Sequence, residues 1–360
     1  MTPGPRPPAG FYPLVVADVE PLTDDSAAIT FTVPRELAGT FAFAAGQSLT
    51  IRRGDQRRSY SICAPAGAHP RIGVREVPGG AVSGWLVRQV KAGDTLEVQA
   101  PGGRFTPDLS QPGQHVLIAA GSGITPMMSI AASVLAADDK STVTLLYGNR
   151  RSGTVMFADE VADLKDAYPA RMRIIHVLSR EPQEVELYSG RLDRERLARL
   201  LPVTVSVGAV DHWWLCGPYR MVTDAIDILT SLGVGAERIH RELFWVGDDL
   251  PPTSPPPFTA THDEPPVGDG SSVTVILDGR SSTLTLPPGT PILDGAQKIR
   301  PDLPFACKGG ICGTCRAKVI RGTAAMRRNY ALEADEVDVG YVLTCQAIPT
   351  SDDIAVDYDA

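Results

Sequence analysis

The chain has 360 residues, of which 43% are apolar and 21% charged, as is typical of a soluble globular protein of two or three domains. Its net charge of −8 argues against nucleic acid as a partner. Residues 1–13 contain no apolar core of a signal peptide, and apolar runs such as 116–120 are far shorter than the roughly 20 residues of a membrane span. We therefore expect a cytoplasmic protein with no membrane partner.

Residues 11–110 predict a small antiparallel β-barrel, because closely spaced strands with turn signals between them favour that fold. One helix is expected to begin at Ser83, after Gly79 and Gly80, with Ser83 as its N-cap. The free N–H groups there would suit an anion, and an ordinary serine N-cap without a ligand is the alternative. The segments rich in Val, Ile, Thr and Tyr place strands at 14–20, 28–33, 47–52, 58–63 and 71–77.

Strands and helices then alternate over 111–247, which predicts an α/β domain with a doubly wound parallel sheet. Strands are expected at 115–119, 143–147, 173–178 and 212–215. Helices are expected from Pro126 onward and over 155–167, 193–200 and 218–232.

The stretch 248–270 is rich in Pro and acidic residues, which indicates a semi-extended linker. Residues 271–360 predict a separate α+β domain of the β-grasp type. It opens with a hairpin whose turn is Asp278-Gly279, and a helix is expected over 291–299.

Four of the six cysteines have the spacing C-x4-C-x2-C-x29-C, which is that of a plant-type [2Fe–2S] cluster. A four-cysteine zinc site usually pairs its ligands as two CxxC units, and only one is present. A disulfide set does not suit a cytoplasmic chain. The expected metal ligands are therefore Cys307, Cys312, Cys315 and Cys345.

A flavin site is suggested by the strand Arg58-Ser59-Tyr60-Ser61. Arg58 can hold a phosphate, and Tyr60, two residues later on the same face, can stack on a flat ring. Ser61 can hydrogen-bond a ring nitrogen. An ordinary surface strand is the alternative explanation for this pattern.

Two glycine-containing turns end strands of the predicted parallel sheet. Gly121-Ser122-Gly123-Ile124-Thr125-Pro126 resembles a dinucleotide turn, but Pro126 stands where the third Gly would be. Cys216-Gly217-Pro218 ends another strand, at the edge where α/β sheets bind ligands. A small buried residue is the alternative for Cys216, and Cys63 is interpreted as core packing.

Taken in order, these motifs resemble the ferredoxin–NADP+ reductase superfamily. The RxYS strand, the GxxS helix start at Gly80, the GxGxTP turn, the CGP turn and the closing Glu242-Leu243-Phe244 all match, and a ferredoxin domain follows. The resemblance covers nearly the whole chain. It implies FAD and a nicotinamide nucleotide as cofactors beside the [2Fe–2S] cluster.

The resemblance also implies residue roles. Arg58 and Ser83 would contact the FAD pyrophosphate, and Tyr60 would stack on the flavin. The residues at the reacting atoms would be Ser61, Cys216 and Glu242. The further cofactor-binding residues would be Ser59, Val74, Gly80, Val82, Gly121, Gly123, Thr125, Arg150, Arg180, Gly217, Pro218 and Phe244.

The choice of nucleotide is expected to depend on Arg150 and Arg180, together with Arg151, Ser152 and Ser179. These residues follow the second and third strands of the parallel sheet and can bind a 2′-phosphate. NADPH is therefore favoured over NADH, with a solvated loop as the alternative interpretation.

The domain order resembles that of oxygenase reductase components. The stretches 307–319, 329–333 and 340–346 are most similar to the reductases of phenylacetyl-CoA epoxidase, which implies a di-iron oxygenase as electron acceptor. Reductases of 3-ketosteroid 9α-hydroxylase, of other aromatic oxygenases or of a hybrid-cluster protein are alternatives within the enzyme class. A non-catalytic electron carrier or redox sensor is the alternative outside it.

Overall fold

A computed structural model describes residues 10–244, 258–259, 270–332 and 334–360. The predicted linker 248–270 lies outside the described residues except at 258–259 and 270, and the domain boundaries drawn around it remain a prediction. The chain folds into two compact units, of which one holds residues 13–49 and 60–244 and the other holds 10–12, 50–59 and 270–360. No helix in the described ranges is long and apolar enough to cross a bilayer.

The predicted antiparallel barrel is confirmed. An isolated bridge between Ile62 and Ile72 joins the two ends of the strand order β4-β3-β6-β1-β2-β5 and closes the sheet. Helix α1 covers Ala81–Arg88. The strands are β1 (Phe11–Thr23), β2 (Ser26–Thr32), β3 (Ser48–Arg53), β4 (Gln56–Ser61), β5 (Arg71–Arg75) and β6 (Thr95–Gln99).

The predicted parallel sheet is also confirmed, with the order β11-β10-β7-β8-β9 and parallel pairing throughout. Its strands are β7 (Gln114–Ala120), β8 (Thr142–Asn149), β9 (Met172–Leu178), β10 (His212–Gly217) and β11 (Ile239–Leu243). The helices are α2 (Ile124–Ala137), α3 (Ala158–Ala167), α4 (Arg194–Thr204) and α5 (Tyr219–Ser231).

The parallel sheet is buried on both faces, which is why its strands are nearly continuous apolar runs. Leu117 and Ala119 of β7 pack into one apolar cluster, and Val116 and Ile118 pack into another on the opposite face. Cys63 is 5% exposed and lies in the first cluster. Its interpretation as a core residue is confirmed.

The C-terminal region has a five-stranded sheet of order β14-β13-β19-β15-β17 and a three-stranded sheet of order β12-β16-β18. Asp278 and Gly279 both have positive φ, 54° and 67°, so the predicted hairpin turn is confirmed. The elements are β12 (Phe258–Thr259), β13 (Ser271–Leu277), β14 (Arg280–Leu286), α6 (Ile292–Ala296), β15 (Arg316–Arg321), β16 (Ala324–Met326), α7 (Ala334–Asp338), β17 (Tyr341–Leu343), β18 (Ala347–Pro349) and β19 (Asp353–Asp357).

Several predicted element boundaries were wrong. Helix α1 is capped by Gly80 and begins at Ala81, so Ser83 is not its N-cap; the Ser83 hydroxyl instead accepts a hydrogen bond from the Val77 N–H at 3.1 Å. Helix α3 begins three residues later than predicted because Phe157 adopts a left-handed conformation with a φ of 58°.

Other departures concern helix ends and strands that were not predicted. Helix α2 begins at Ile124 rather than at Pro126, and α6 ends at Ala296. The strands β6 and β11 were not predicted. Within the range assigned to the linker, β12 pairs with β16.

Candidate functional site

Three of the four cysteines of the iron–sulfur spacing lie on one loop of the C-terminal region, which we call the cluster loop (307–315). The fourth, Cys345, lies beside Cys315 of that loop. Cys315 and Cys345 are 3% and 5% exposed. The main chain of the loop turns through positive φ at Gly310 and Gly313, 80° and 65°, conformations that glycine adopts without strain. The Gly309 N–H donates to Cys307 Sγ at 3.3 Å.

The thiols are hydrogen-bonded in two pairs, Cys307 with Cys312 and Cys315 with Cys345. The Cys312 thiol, followed by main-chain N–H groups of the loop, lowers the pKa of Cys307 to about 5. The Cys315 thiol, followed by the Gln346 amide, lowers the pKa of Cys345. One thiol in each pair, Cys307 or Cys345, therefore ionises more readily than an ordinary cysteine. A cysteine binds a metal as its thiolate, so this property suits a metal ligand.

Two pairs of thiols fit a cluster of two irons. A [2Fe–2S] cluster is held by four cysteine thiolates, which these two pairs would supply. Within the described ranges, no three or more His, Cys, Asp or Glu side chains are arranged to hold one metal ion. The two thiol pairs fit a [2Fe–2S] cluster.

Strand β4 carries the predicted flavin residues. Arg58 is exposed, its guanidinium donating to the Arg57 carbonyl at 2.7 Å, and Tyr60 is half-buried. The Ser59 hydroxyl lies 3.1 Å from Thr50 Oγ1, on the opposite face of the strand from Arg58 and Tyr60. The predicted contact residues Val74 and Val82 are 0% and 2% exposed and pack in the core.

Three predicted residues at the reacting atoms come together and form what we call the polar triad: Ser61, Cys216 and Glu242. The Ser61 hydroxyl donates to Glu242 Oε2 at 3.0 Å. Cys216 of β10 is the direct partner of Glu242 in the pairing with β11. Phe244, just beyond β11, packs against the apolar cluster that contains Cys216.

Burial sets the protonation of this triad. It raises the pKa of Glu242 to about 7, although the hydrogen bond from Ser61 works in the other direction. Burial, and then the charge of Glu242, raises the pKa of the Cys216 thiol. Cys216 is therefore a neutral thiol at physiological pH, and Glu242 lies close to its midpoint.

The two glycine-containing turns lie side by side because β7 and β10 are neighbours in the sheet. A Cβ on Gly123 would lie 2.2 Å from the Cys216 carbonyl oxygen, so only glycine fits there. The Thr125 hydroxyl donates to the Ser122 carbonyl at 2.9 Å and closes the first turn. Pro218, after Gly217, is the N-cap of α5. The N-termini of α2 and α5 therefore lie side by side, and the binding of the nucleotide there remains a prediction.

The predicted nucleotide arginines Arg150 and Arg180 are exposed at the carboxyl ends of β8 and β9, where the Arg180 N–H donates to the Arg150 carbonyl at 2.8 Å. Beside them lies Glu181, which the sequence reasoning missed. Its Oε2 accepts from the Ser152 N–H and hydroxyl at 2.9 and 3.0 Å. A single Glu in a polar loop gave no sequence signal that its carboxylate would bind Ser152 beside the two arginines.

A second missed residue is Arg75, at the end of β5. Its guanidinium donates to the Thr154 carbonyl at 2.7 Å and pairs with Asp25 at 3.1 Å. It also lies 3.3 Å from the position of a Cβ on Gly121, the first residue of the predicted nucleotide turn. A basic residue at a strand end near two glycines is the only sequence signal for it.

Three family models match the chain: an oxidoreductase FAD-binding domain at residues 13–106, an oxidoreductase NAD-binding domain at 117–227 and a 2Fe-2S iron-sulfur cluster binding domain at 275–350. Fold and sites together define an oxidoreductase that carries electrons from a nicotinamide nucleotide through FAD to a [2Fe–2S] cluster. The predicted cofactors FAD, nicotinamide nucleotide and [2Fe–2S] are confirmed at this level.

Relatives match over nearly the full length. The chain is 40% identical to a component of the 1,2-phenylacetyl-CoA epoxidase of Escherichia coli (strain K12), over 97% of this chain and 98% of that one. It is 32% identical to the 3-ketosteroid-9-alpha-monooxygenase ferredoxin reductase component of Rhodococcus rhodochrous, over 96% of each chain. The chain therefore belongs to the family of oxygenase reductase components within the ferredoxin–NADP+ reductase superfamily.

A solved structure shares the fold. Phthalate dioxygenase reductase superposes with a TM-score of 0.59 at 24% identity, and the match covers 97% of this chain and 98% of that one. This likeness confirms the multidomain architecture of an antiparallel FAD domain, a parallel-sheet nucleotide domain and a C-terminal ferredoxin domain.

Proposed function

We propose that this chain is the reductase component of a phenylacetyl-CoA epoxidase system in aerobic phenylacetate degradation, and that it delivers electrons from NAD(P)H to a di-iron oxygenase. The observation that carries the proposal is the 40% identity with the epoxidase component of Escherichia coli, which extends over 97% of this chain and all three domains. The paired thiols of the cluster loop and the polar triad supply the required chemistry.

The protein's contribution is to bind and orient the cofactors. When bound, FAD takes up a hydride from the nicotinamide and releases electrons singly, which the cluster carries one at a time. Arg58 and the N-terminus of α1 at Gly80 would hold the FAD pyrophosphate, and Tyr60 would stack on the flavin ring. The four cysteines would hold the two irons.

The polar triad would line the place where the hydride passes. The Ser61 hydroxyl donates its hydrogen bond to Glu242, and this bond orients the Ser61 side chain without a ligand. Cys216 is fully buried and neutral. A neutral thiol is a poor nucleophile, so Cys216 would pack against the nicotinamide ring and exclude water from it.

The nucleotide would lie across the N-termini of α2 and α5, with Arg150 and Arg180 at its 2′-phosphate. This arrangement supports NADPH over NADH. Because Glu181 already binds Ser152, the arginines and not Ser152 would supply the charge at that phosphate. A cytoplasmic location agrees with the six free cysteines.

Reconstitution tests the proposed pathway. Purified reductase, NADPH and the purified oxygenase component of a phenylacetyl-CoA epoxidase should convert phenylacetyl-CoA to its epoxide. Omission of the reductase should abolish the product. If the reductase reduces ferricyanide with NADPH but supports no epoxidation, the enzyme class stands and the assigned partner is wrong.

The similarity to 3-ketosteroid-9-alpha-monooxygenase reductases, 32% identity over 96% of the chain, supports a second candidate partner. The same reductase preparation should be offered the oxygenase component of that system with a 3-ketosteroid. We expect turnover at least about tenfold below that with the epoxidase, which corresponds to about 1.4 kcal/mol of discrimination. The reverse ratio would favour the steroid system.

A further inference from the structure

The two faces of β4 have different neighbours. Side chains alternate along a strand, so Arg58 and Tyr60 lie on one face and Arg57 and Ser59 on the other. The first face carries Arg58 and Tyr60, which are assigned to the FAD pyrophosphate and the flavin ring, whereas Ser59 of the predicted FAD set lies on the second face. The second face contacts residues 301–314, a segment that includes the first two cluster ligands and belongs to the same compact unit as residues 50–59.

Arg57 makes the principal contact of that second face. It is 8% exposed, and its guanidinium donates through Nη1 to the Leu303 carbonyl at 3.1 Å and through Nη2 to the Pro301 carbonyl at 2.9 Å. The same group lies 4.3 Å from the centre of the Phe305 ring. Phe305 is two residues before the ligand Cys307.

The contact is chemically specific. Burying a cation is costly unless hydrogen bonds compensate it, and burial together with the nearby charge of Arg52 lowers the pKa of Arg57. A planar guanidinium can hold two carbonyl groups and stack on a ring at the same time, which a lysine ammonium cannot do. Arg57 therefore fixes the direction in which the chain enters the cluster loop.

A second contact from the same face lies further along the loop. Ser59 Oγ is 3.5 Å from Thr314 Oγ1, and Thr314 stands between the ligands Cys312 and Cys315. The alternate residues of β4 thus touch the segment that leads into the cluster loop and the loop itself. One short strand connects the residues assigned to FAD with the residues that hold the cluster.

We propose that Arg57 is a positioning residue for electron transfer, which holds the cluster loop against the strand that binds the flavin. The proposal rests on the proposed function, because it requires that β4 binds FAD and that the loop binds the cluster. Electron transfer slows steeply with distance, and misplacing reacting groups by about 1 Å can cost about 100-fold in rate. Arg57 itself touches no reacting atom.

The test separates the two steps in one stopped-flow experiment on the full-length holoprotein. Anaerobic mixing with NADPH gives flavin reduction first and cluster reduction second, and the two are resolved by visible absorbance. In Arg57→Ala we expect flavin reduction within about twofold of wild type and cluster reduction slowed about tenfold or more. Arg57→Lys keeps the charge but cannot donate to both carbonyl groups from a planar guanidinium, so its rate of cluster reduction should lie between those of Arg57→Ala and wild type.

Controls exclude general damage. Arg53→Ala removes an exposed arginine from the same hairpin and should leave both rates unchanged. The EPR spectrum of each dithionite-reduced variant should match that of wild type, which shows that the cluster itself is intact. If Arg57→Ala does not assemble its cluster, the same comparison is made with Arg57→Lys.

Unchanged cluster reduction in a variant with an intact cluster would overturn the proposal. Equal slowing of both steps would also overturn it, because it would show a merely structural role. Failure of wild-type protein to reduce its flavin or cluster with NADPH would instead refute the proposed function, so the two failures are distinguishable.

Discussion

The cluster loop and the polar triad are assembled in opposite ways. Three of the four cluster ligands are close together in the chain, and glycines shape the turns between them. Ser61 and Glu242 of the triad are 181 residues apart and meet only because a barrel strand and two strands of the parallel sheet end at the same place. The predicted one-electron site is thus encoded locally, and the predicted two-electron site is encoded by topology.

If that contrast is correct, damage to the cluster loop should stop only the one-electron step. In Cys315→Ser we expect loss of the cluster and a fall of at least about 100-fold in electron delivery to an oxygenase, because a buried thiolate ligand is removed. Flavin reduction by NADPH should stay within about twofold. Iron analysis measures the loss of the cluster, and stopped-flow absorbance measures flavin reduction.

The control is Cys63→Ala, at a buried cysteine outside the loop, which should keep its iron. Full iron content in Cys315→Ser would contradict the assignment of Cys315 as a ligand.

Damage at the carboxyl edge of the parallel sheet should instead act on nucleotide use. Arg180→Ala removes an exposed guanidinium from the proposed 2′-phosphate position. We expect kcat/KM for NADPH to fall about tenfold, with that for NADH unchanged, because a charge-assisted contact is lost. Arg199→Ala, an exposed arginine on α4 that pairs with Glu195, is the matched control. A wild-type preference for NADH would remove this role from Arg180.

A smaller effect is expected within the triad. The pKa of Glu242 is raised to about 7, so its carboxyl group is mostly neutral below that pH and mostly ionised above it. A nearby carboxylate opposes the negative charge that reduction adds to a flavin, so flavin reduction should slow severalfold as pH rises through 7. Glu242→Gln should flatten this profile between pH 6 and 8, as stopped-flow rates would show. The exposed substitution Glu237→Gln should leave it intact; a profile unchanged by Glu242→Gln would assign the pH dependence elsewhere.

The smallest expected effect concerns the opposite edge of the same sheet. His115 and His240 lie at the amino ends of β7 and β11, where Trp214 donates to His115 Nδ1 at 3.1 Å and stacks on His240 at 4.1 Å. Burial lowers the pKa of each histidine to about 4, so both are neutral in the folded state at pH values where the unfolded chain binds protons.

The contribution of these neutral histidines to the free energy of unfolding is therefore fully present above about pH 6.5 and is lost as pH falls toward 4. We expect His240→Gln to recover about 1–2 kcal/mol of the stability that wild type loses between pH 7 and pH 5, with the value reduced by partial exposure. Denaturant melts followed by tryptophan emission measure it. His69→Gln, in a loop of the barrel region, should not change the pH dependence; an equal effect there would contradict the assignment.

The sequence predicted most where one local rule governs structure. The cysteine spacing predicts the cluster ligands, the Asp278-Gly279 pair identified a hairpin, and continuous apolar runs identified four of the five parallel strands, all but β11. Strand β6 (Thr95–Gln99) was missed although it alternates polar and apolar residues, because the alternation extends over only five residues with two apolar side chains. The helix start at α1 was misplaced because Ser83 binds Val77 instead of capping the helix.

Long-range contacts account for what the sequence could not predict. Glu181 binds Ser152 across two loops, and Arg57 binds carbonyl groups more than 240 residues away, contacts that no periodicity or spacing encodes. The residues of the polar triad were named only through family resemblance, and their meeting depends on strand order. Their assigned roles in hydride transfer remain predictions.

The most direct test of the central assignment is an anaerobic NADPH titration of the purified protein, followed by visible absorbance and EPR with iron and sulfide analysis. Two irons held by Cys307, Cys312, Cys315 and Cys345 beside one FAD should accept about three electrons per chain, bleach the flavin and give the EPR signal of a reduced [2Fe–2S] cluster. A colourless protein, or one that contains zinc in place of iron and sulfide, would contradict the account.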